Sequence, residues 1–340
     1  MNSDIMRAAM LLPLLAALPA YGQTATPATS ATDTSAAPAA SPADASPVPP
    51  ASPGDTPAAP MQPAASPTPP PPEVNGLQSY FDTWDQRAAW ARATQPNWSS
   101  PLVTTTSMLE QRFRFETDFQ HSGNDTDTTV IDGGKGLDLI VGDTEELQIA
   151  LPPYYIRTAD SSKLALDGWA DWSIARIKQR LLSSPADEGD YILTAWLQVG
   201  VPTGVEKLTS HAVTLSPTLG FGKGWGPFVI QGSLGGQIPT AYEGKLGNQI
   251  VGNLSFQYNI FHYLWPDVEV NWTNYQGGPR AGLSQVFITP SIAVARIPIT
   301  HATNITFAVG YQVAVAPTYQ AKPLTPAYDR AWILSTRVNF

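Results

Sequence analysis

Five ionisable side chains recur at every second position in one stretch of the chain: Glu110, Arg112, Arg114, Glu116 and Asp118. On an extended strand such positions share one face, so the spacing stacks two cations and three carboxylates in a single row. The interleaved Phe113, Phe115 and Phe119, with Leu109 before them, form an opposite apolar face. A row of mixed charge offers no nucleophile. It offers a polar surface that either pairs internally across strands or sorts solutes by charge. Asp138, Asp171 and Glu269 occupy the polar positions of later alternating segments and join the candidate set.

Other chemistries find few residues to carry them. The 340-residue chain has no cysteine, which removes disulfide scaffolds, thiol nucleophiles and thiolate metal sites together. Its histidines, His121, His211, His262 and His301, are scattered, so neither a metal centre nor a cofactor is expected. The string His121-Ser122-Gly123-Asn124 invites a lipid-hydrolase reading, but a base and nucleophile adjacent in sequence seldom pair in space, and an enzyme is not expected. The formal charge of −9 argues against nucleic acid, which requires a basic face.

The elements that would position these charges alternate with period two from Thr104 to the C-terminus. Ile250, Leu254, Phe256, Tyr258 and Ile260 oppose Asn253, Ser255, Gln257 and Asn259; Ile305, Phe307, Val309, Tyr311, Val313 and Val315 oppose Thr306, Ala308, Gly310, Gln312 and Ala314. A soluble barrel fills its interior with bulky apolar side chains. Here the large residues lie on one face and small or polar ones on the other, as expected when hydrocarbon lies outside and water or polar networks inside. The pattern predicts an all-β, antiparallel transmembrane β-barrel of about twelve strands. They are placed near 107–120, 135–142, 145–156, 169–182, 190–202, 211–222, 226–238, 248–261, 264–275, 283–297, 303–316 and 329–340. Long connections such as 121–134, 157–168 and 317–328 alternate with short turns, as outer loops and periplasmic turns do. Closure would set Arg337, on the last strand, beside the charged row of the first. One segment breaks phase: strict alternation would point Arg176 and Lys178 at lipid, at a cost of about 2–4 kcal/mol each at the midplane, unless a bulge intervenes. Pro217 and Pro290 sit inside strands, where each would break the ladder locally. Tyr154, Tyr155, Trp169, Trp265 and Trp272 are assigned to the membrane interfaces.

Ahead of the barrel, residues 1–22 have the positive start, short apolar run and small-residue cleavage site of a secretory signal peptide. Residues 23–73 are a Pro/Ala/Ser/Thr linker with too little apolar surface to order itself. Residues 74–103 are a periplasmic lead-in, helical over 75–92, where Leu77, Phe81, Trp84 and Ala88 share a face; docking at the interface is preferred to plugging the lumen. The chain closes on Phe340 behind Trp332, Leu334 and Val338, a C-terminal strand of the kind that outer-membrane insertion machinery recognises.

Several short motifs resemble the proteobacterial outer-membrane family named for the meta-pathway of phenol degradation. They are Gln95-Pro96-Asn97-Trp98, Pro101-Leu102, the run Leu109 to Phe115, the hairpin Glu146 to Tyr154, Gly168, Asp171-Trp172-Ser173 and Val201-Pro202-Thr203-Gly204. The resemblance covers roughly 95–340 and implies a barrel that moves small molecules, aromatic ones among the candidates, across the membrane. With the residues above, the expectation is a bacterial outer-membrane channel or transporter for a small-molecule solute. Its narrow lumen would be lined by Glu110, Arg112, Arg114, Glu116, Asp118, Asp171, Glu269 and Arg337. A structural or docking barrel without transport is the alternative.

Overall fold

The computed structural model describes residues 77–122, 125–132, 135–159, 165–317 and 328–340. The signal-peptide and linker assignments lie outside these residues. Among them, two helices, α1 (Leu77–Asp82) and α2 (Trp84–Ala93), precede fifteen strands. These are β1 (Arg112–Ser122), β2 (Thr126–Ile131), β3 (Gly136–Ile140), β4 (Glu145–Ala150), β5 (Tyr154–Thr158), β6 (Leu166–Trp169), β7 (Trp172–Ser184) and β8 (Tyr191–Val201). They continue as β9 (Thr214–Trp225), β10 (Phe228–Pro239), β11 (Gln249–Tyr258), β12 (Leu264–Tyr275), β13 (Ser284–Pro298), β14 (Asn304–Ala316) and β15 (Arg330–Asn339).

All neighbours are antiparallel, and β15 pairs back onto β1 from Arg112↔Asn339 to His121↔Arg330, so the sheet closes. Three pairs of short strands act as single staves. The first part of β1 pairs with β3 and its later part with β2; β3 pairs with β4 and β2 with β5; β4 pairs with β7 and β5 with β6. Counting β2/β3, β4/β5 and β6/β7 once each gives a closed barrel of twelve staves. Closure leaves β6 as the strand with a single strand partner, β5, among the described residues.

The expected second strand (135–142) is thus the lower half of a longer stave. The connection placed at 121–134 is no long loop, because β1 runs to Ser122 and β2 already begins at Thr126. Elsewhere the long gaps follow β5, β8, β10, β12 and β14, as the alternation of connections predicts. The two strand prolines interrupt the ladder locally. Beside Pro217 the β9–β10 pairing passes from Gly235↔Thr218 to Ile238↔Leu215, and beside Pro290 the β13–β14 pairing passes from Ile288↔Val313 to Ser291↔Gly310.

The exterior is apolar. Phe113, Phe115, Phe119, Leu254, Phe256, Val268, Phe307 and Leu334 are exposed, while their neighbours Arg112, Arg114, Glu116, Ser255, Gln257, Glu269, Thr306 and Ser335 are buried. An inside-out pattern of this kind suits hydrocarbon as the surrounding solvent. The phase problem in β7 is solved by a register shift between Trp172 and Ala175. The irregularity turns Arg176, Lys178 and Arg180 inward, where all are buried, and leaves Ile177 62% exposed on the outside. Trp265 departs from its interfacial assignment: it is 1% exposed and belongs to the inner core.

Alanine-rich α2 favours helix, and Pro96 stops it from continuing. It caps the barrel end that carries Arg112 and Asn339. The buried face is Ala88 and Ala91 against Leu109 and Ile140, whereas Phe81, expected on that face, is 60% exposed. Arg180 donates to the Ala91 carbonyl, Arg92 to that of Phe340 and Tyr80 to that of Val141, tying the helices to the rim at three places. Leu109, expected to face outward with the phenylalanines, lies before β1 and is buried beneath α2.

Candidate functional site

The wall begins at Arg112, not Thr104, and residues 94–111 run inside it. This segment is a loop with a closed neck. The Gln95 side chain donates to the Leu109 carbonyl at 2.8 Å and accepts from the Leu109 N–H at 2.9 Å. Between them the chain runs out to an apex at Pro101–Thr104 and returns. Trp98, Leu102 and Met108 pack with Ile192, Val229, Trp265, Ile333 and several alanines. Two glycines make room for it: a Cβ on Gly222 would strike the Trp98 ring, and one on Gly310 would strike Leu102.

The inward charges of the wall grip the loop mostly by its backbone. The Glu269 carboxylate accepts three successive N–H groups, from Leu102 (2.6 Å), Val103 (2.8 Å) and Thr104 (2.5 Å). Arg337 donates to the carbonyls of Ser100 and Pro101, and Arg114 to that of Leu102. Lys178 reaches the Met108 carbonyl at 2.8 Å, Gln231 the Ser99 carbonyl at 2.9 Å, and Glu146 accepts from the Glu110 N–H at 2.6 Å. Charge-assisted bonds of this type contribute about 1.5–3 kcal/mol each.

Beside the loop the remaining charges form a network of two clusters. Arg112 bonds Asp138 at 2.9 Å and lies 3.4 Å from Glu110; Arg176 approaches Asp138 (3.5 Å) and Glu146 (3.6 Å); Lys178 meets Glu146 at 2.9 Å. Glu116 pairs with Arg114 and with Lys135. This network borders a cavity of about 230 Å³, walled by Arg112, Arg114, Lys135, Arg176, Gln148 and Gln198, with Thr105 of the loop at its edge. The cations and amides face the space; their partners Glu116, Asp138 and Glu146 are not on its surface.

The expected lining set is therefore divided by role. Arg112 and Arg114 reach the cavity. Glu116 neutralises two of its cations, and Asp118 follows on the inner face of β1. Glu110 sits on the returning limb of the loop, before the wall begins. Glu269 and Arg337 hold the loop. Asp171 is in the connection between β6 and β7, at the far rim. Its carboxylate accepts from Gly204 N–H (3.1 Å) and from both the N–H (2.7 Å) and hydroxyl (2.6 Å) of Ser210, pinning the loop after β8. Burial works to raise the Asp171 pKa, but the bonds from Ser210, Thr209 and Gly204 outweigh it and hold the carboxyl below its ordinary value. Sequence reasoning missed Lys135, Gln148, Arg176 and Gln198 as cavity residues. The inward phase of Arg176 depends on the β7 irregularity, and Lys135 reads in the sequence as the start of a strand rather than as a break between two.

The histidine string does not assemble a catalytic pair. His121 Nδ1 lies 2.7 Å from Asp127 on an exposed face, while Ser122, next along the strand, turns to the opposite, buried face. Among the described residues no cluster of three metal-ligating side chains occurs.

No known family model and no curated protein matches the sequence. Solved structures that resemble the chain include an outer membrane channel from Pseudomonas putida F1, at 13% identity and TM-score 0.46 over 72% of this chain and 100% of that one. The NanC porin matches at 8% identity and TM-score 0.41 over 67% and 98% of the two chains. The KdgM porin matches at 9% and 0.36 over 67% and 99%. The closed ladder of this chain stands on its own hydrogen bonds.

Proposed function

We propose that this chain is a bacterial outer-membrane channel for small solutes, with a preference for anions. The observation that carries the reading is the cavity of about 230 Å³ whose charged walls are Arg112, Arg114, Lys135 and Arg176, enclosed in a cylinder with an apolar exterior. A cation-lined space with low-dielectric walls concentrates anions and repels cations. In this reading the end capped by α1 and α2 faces the periplasm, as an even stave count and an exported N-terminal segment require. Residues 94–111 and the paired charges leave too little room for large solutes. The meta-pathway motifs favour aromatic carboxylates as the first solutes to try.

Purified full-length protein in planar lipid bilayers tests this. A salt gradient should give a reversal potential of the sign for anions, and Lys135→Gln with Arg176→Gln should shift it towards zero. Bilayers that stay silent under all conditions would overturn the proposal. They would favour a sealed anchor barrel, a reading supported by the core-like packing of Trp98, Leu102 and Met108 against the wall.

A further inference from the structure

The loop within the lumen has two attachments of different kinds. Its neck is joined by the reciprocal Gln95–Leu109 pair and anchored through α2, whose buried alanines and capping contacts fix it to the rim. Its apex is held by opposed charges on opposite sides of one short stretch of peptide. Glu269 takes the N–H groups of residues 102–104, and Arg337 and Arg114 take the carbonyls of residues 100–102. Neither Glu269 nor Arg337 has an ion-pair partner within 4 Å among the described residues, and both are buried. The peptide dipoles of the apex stand between them and neutralise both. Such a clasp has a second state: with the apex withdrawn, water enters and hydrates the freed charges in place of the peptide. Withdrawing the apex uncovers one fully buried large side chain, Leu102, whereas the limbs and neck have no wet alternative: moving them would uncover Trp98, Met108, Leu109, Ile140 and the alanines of α2.

Building on the channel reading, we infer that residues 100–105 form a gate. Its apex is latched by the Glu269–Arg337 clasp and leaves it to widen the path, while the Gln95–Leu109 neck stays closed. The latch acts on main chain and reads its charge alternation, so Glu269 is a positioning residue for the gate.

The absence of native cysteine makes the test direct. Thr104 is 1% exposed and its hydroxyl accepts a hydrogen bond from Asn271 at 3.4 Å. In the full chain, Thr104→Cys alone reports release of the apex through labelling by a water-soluble maleimide. Adding Glu269→Gln should raise the labelling rate about tenfold or more, the equivalent of one lost charge-assisted hydrogen bond. Thr104→Cys with Asn271→Cys, bridged by a short reducible bis-thiol reagent, keeps Glu269 intact; bridging should abolish the larger conductance state and reduction should restore it. Labelling at the same rate with and without Glu269→Gln, or conductance unchanged by bridging, would overturn the gate. A silent bilayer together with Glu269-dependent labelling would overturn the channel and leave the movable apex standing.

Discussion

Arg114 on β1 and Arg337 on β15 are direct cross-strand partners at the seam where the barrel closes, two buried cations side by side. Like charges so placed repel. The carbonyls of Ser100, Pro101 and Leu102 receive both guanidinium groups, so the seam and the inner loop stabilise each other. A sign reversal follows. In the full chain Arg337→Gln should destabilise the barrel by about 2–4 kcal/mol, from lost charge-assisted bonds. In a chain with residues 96–108 replaced by a short Gly/Ser linker, the same substitution should stabilise it. The temperature at which the folded gel band converts to the unfolded one measures both; a loss of equal size in the two backgrounds would contradict the coupling.

Lys178 and Glu146, both fully buried and 2.9 Å apart, give a second test. Lys178→Met alone leaves the buried Glu146 carboxylate with only the more distant Arg176 and the Glu110 N–H, and should cost about 3 kcal/mol. Lys178→Met with Glu146→Leu should recover much of that loss. A double mutant as unstable as the sum of its singles would show that the pair does not act as a unit.

Gly222 gives way to the Trp98 ring. Gly222→Leu should leave the barrel wall closed but dislodge the loop, exposing residues 98–108 to chymotrypsin while the rest of the chain stays resistant. Digestion at wild-type rates would remove Gly222 from the seat of the loop.

Asp171 ties down the loop after β8, and its pKa is held below the ordinary value near 4. For a depressed carboxyl, stability is present above the unfolded pKa and is lost as pH falls through the folded one. Protease protection of residues 203–212 should thus hold at neutral pH and fail only below about pH 4. Asp171→Asn should weaken protection at neutral pH and flatten its pH dependence. Protection that is equally pH-dependent in the variant would assign the effect to another group.

The staves were legible because lipid outside and polar groups inside write a period of two in large and small side chains, as in Ile305 to Val315. The charged row of β1 was legible for the same reason. Two things were not. The β7 phase depends on an irregularity at Trp172–Ala175 that no side chain announces, and it alone decides whether Arg176 and Lys178 face lipid or lumen. The inner loop was invisible as a plug because the wall binds mainly its backbone, leaving Ser99 to Ser107 without a periodic signature. Its trace lay on the wall instead, in inward residues such as Glu269, whose hydrogen-bond partners come from the loop and not from neighbouring staves.

The loop is covalently continuous with β1, and β1 is the strand that the last one, β15, must find to finish the ladder. Both tethers of this hairpin stay at one rim, beneath α2, so it can enter through that mouth before or after the ladder closes, with no chain end passing through the wall. What β15 supplies is the last wall beside β1: until it arrives the sheet is an open trough whose inward cations meet the bilayer.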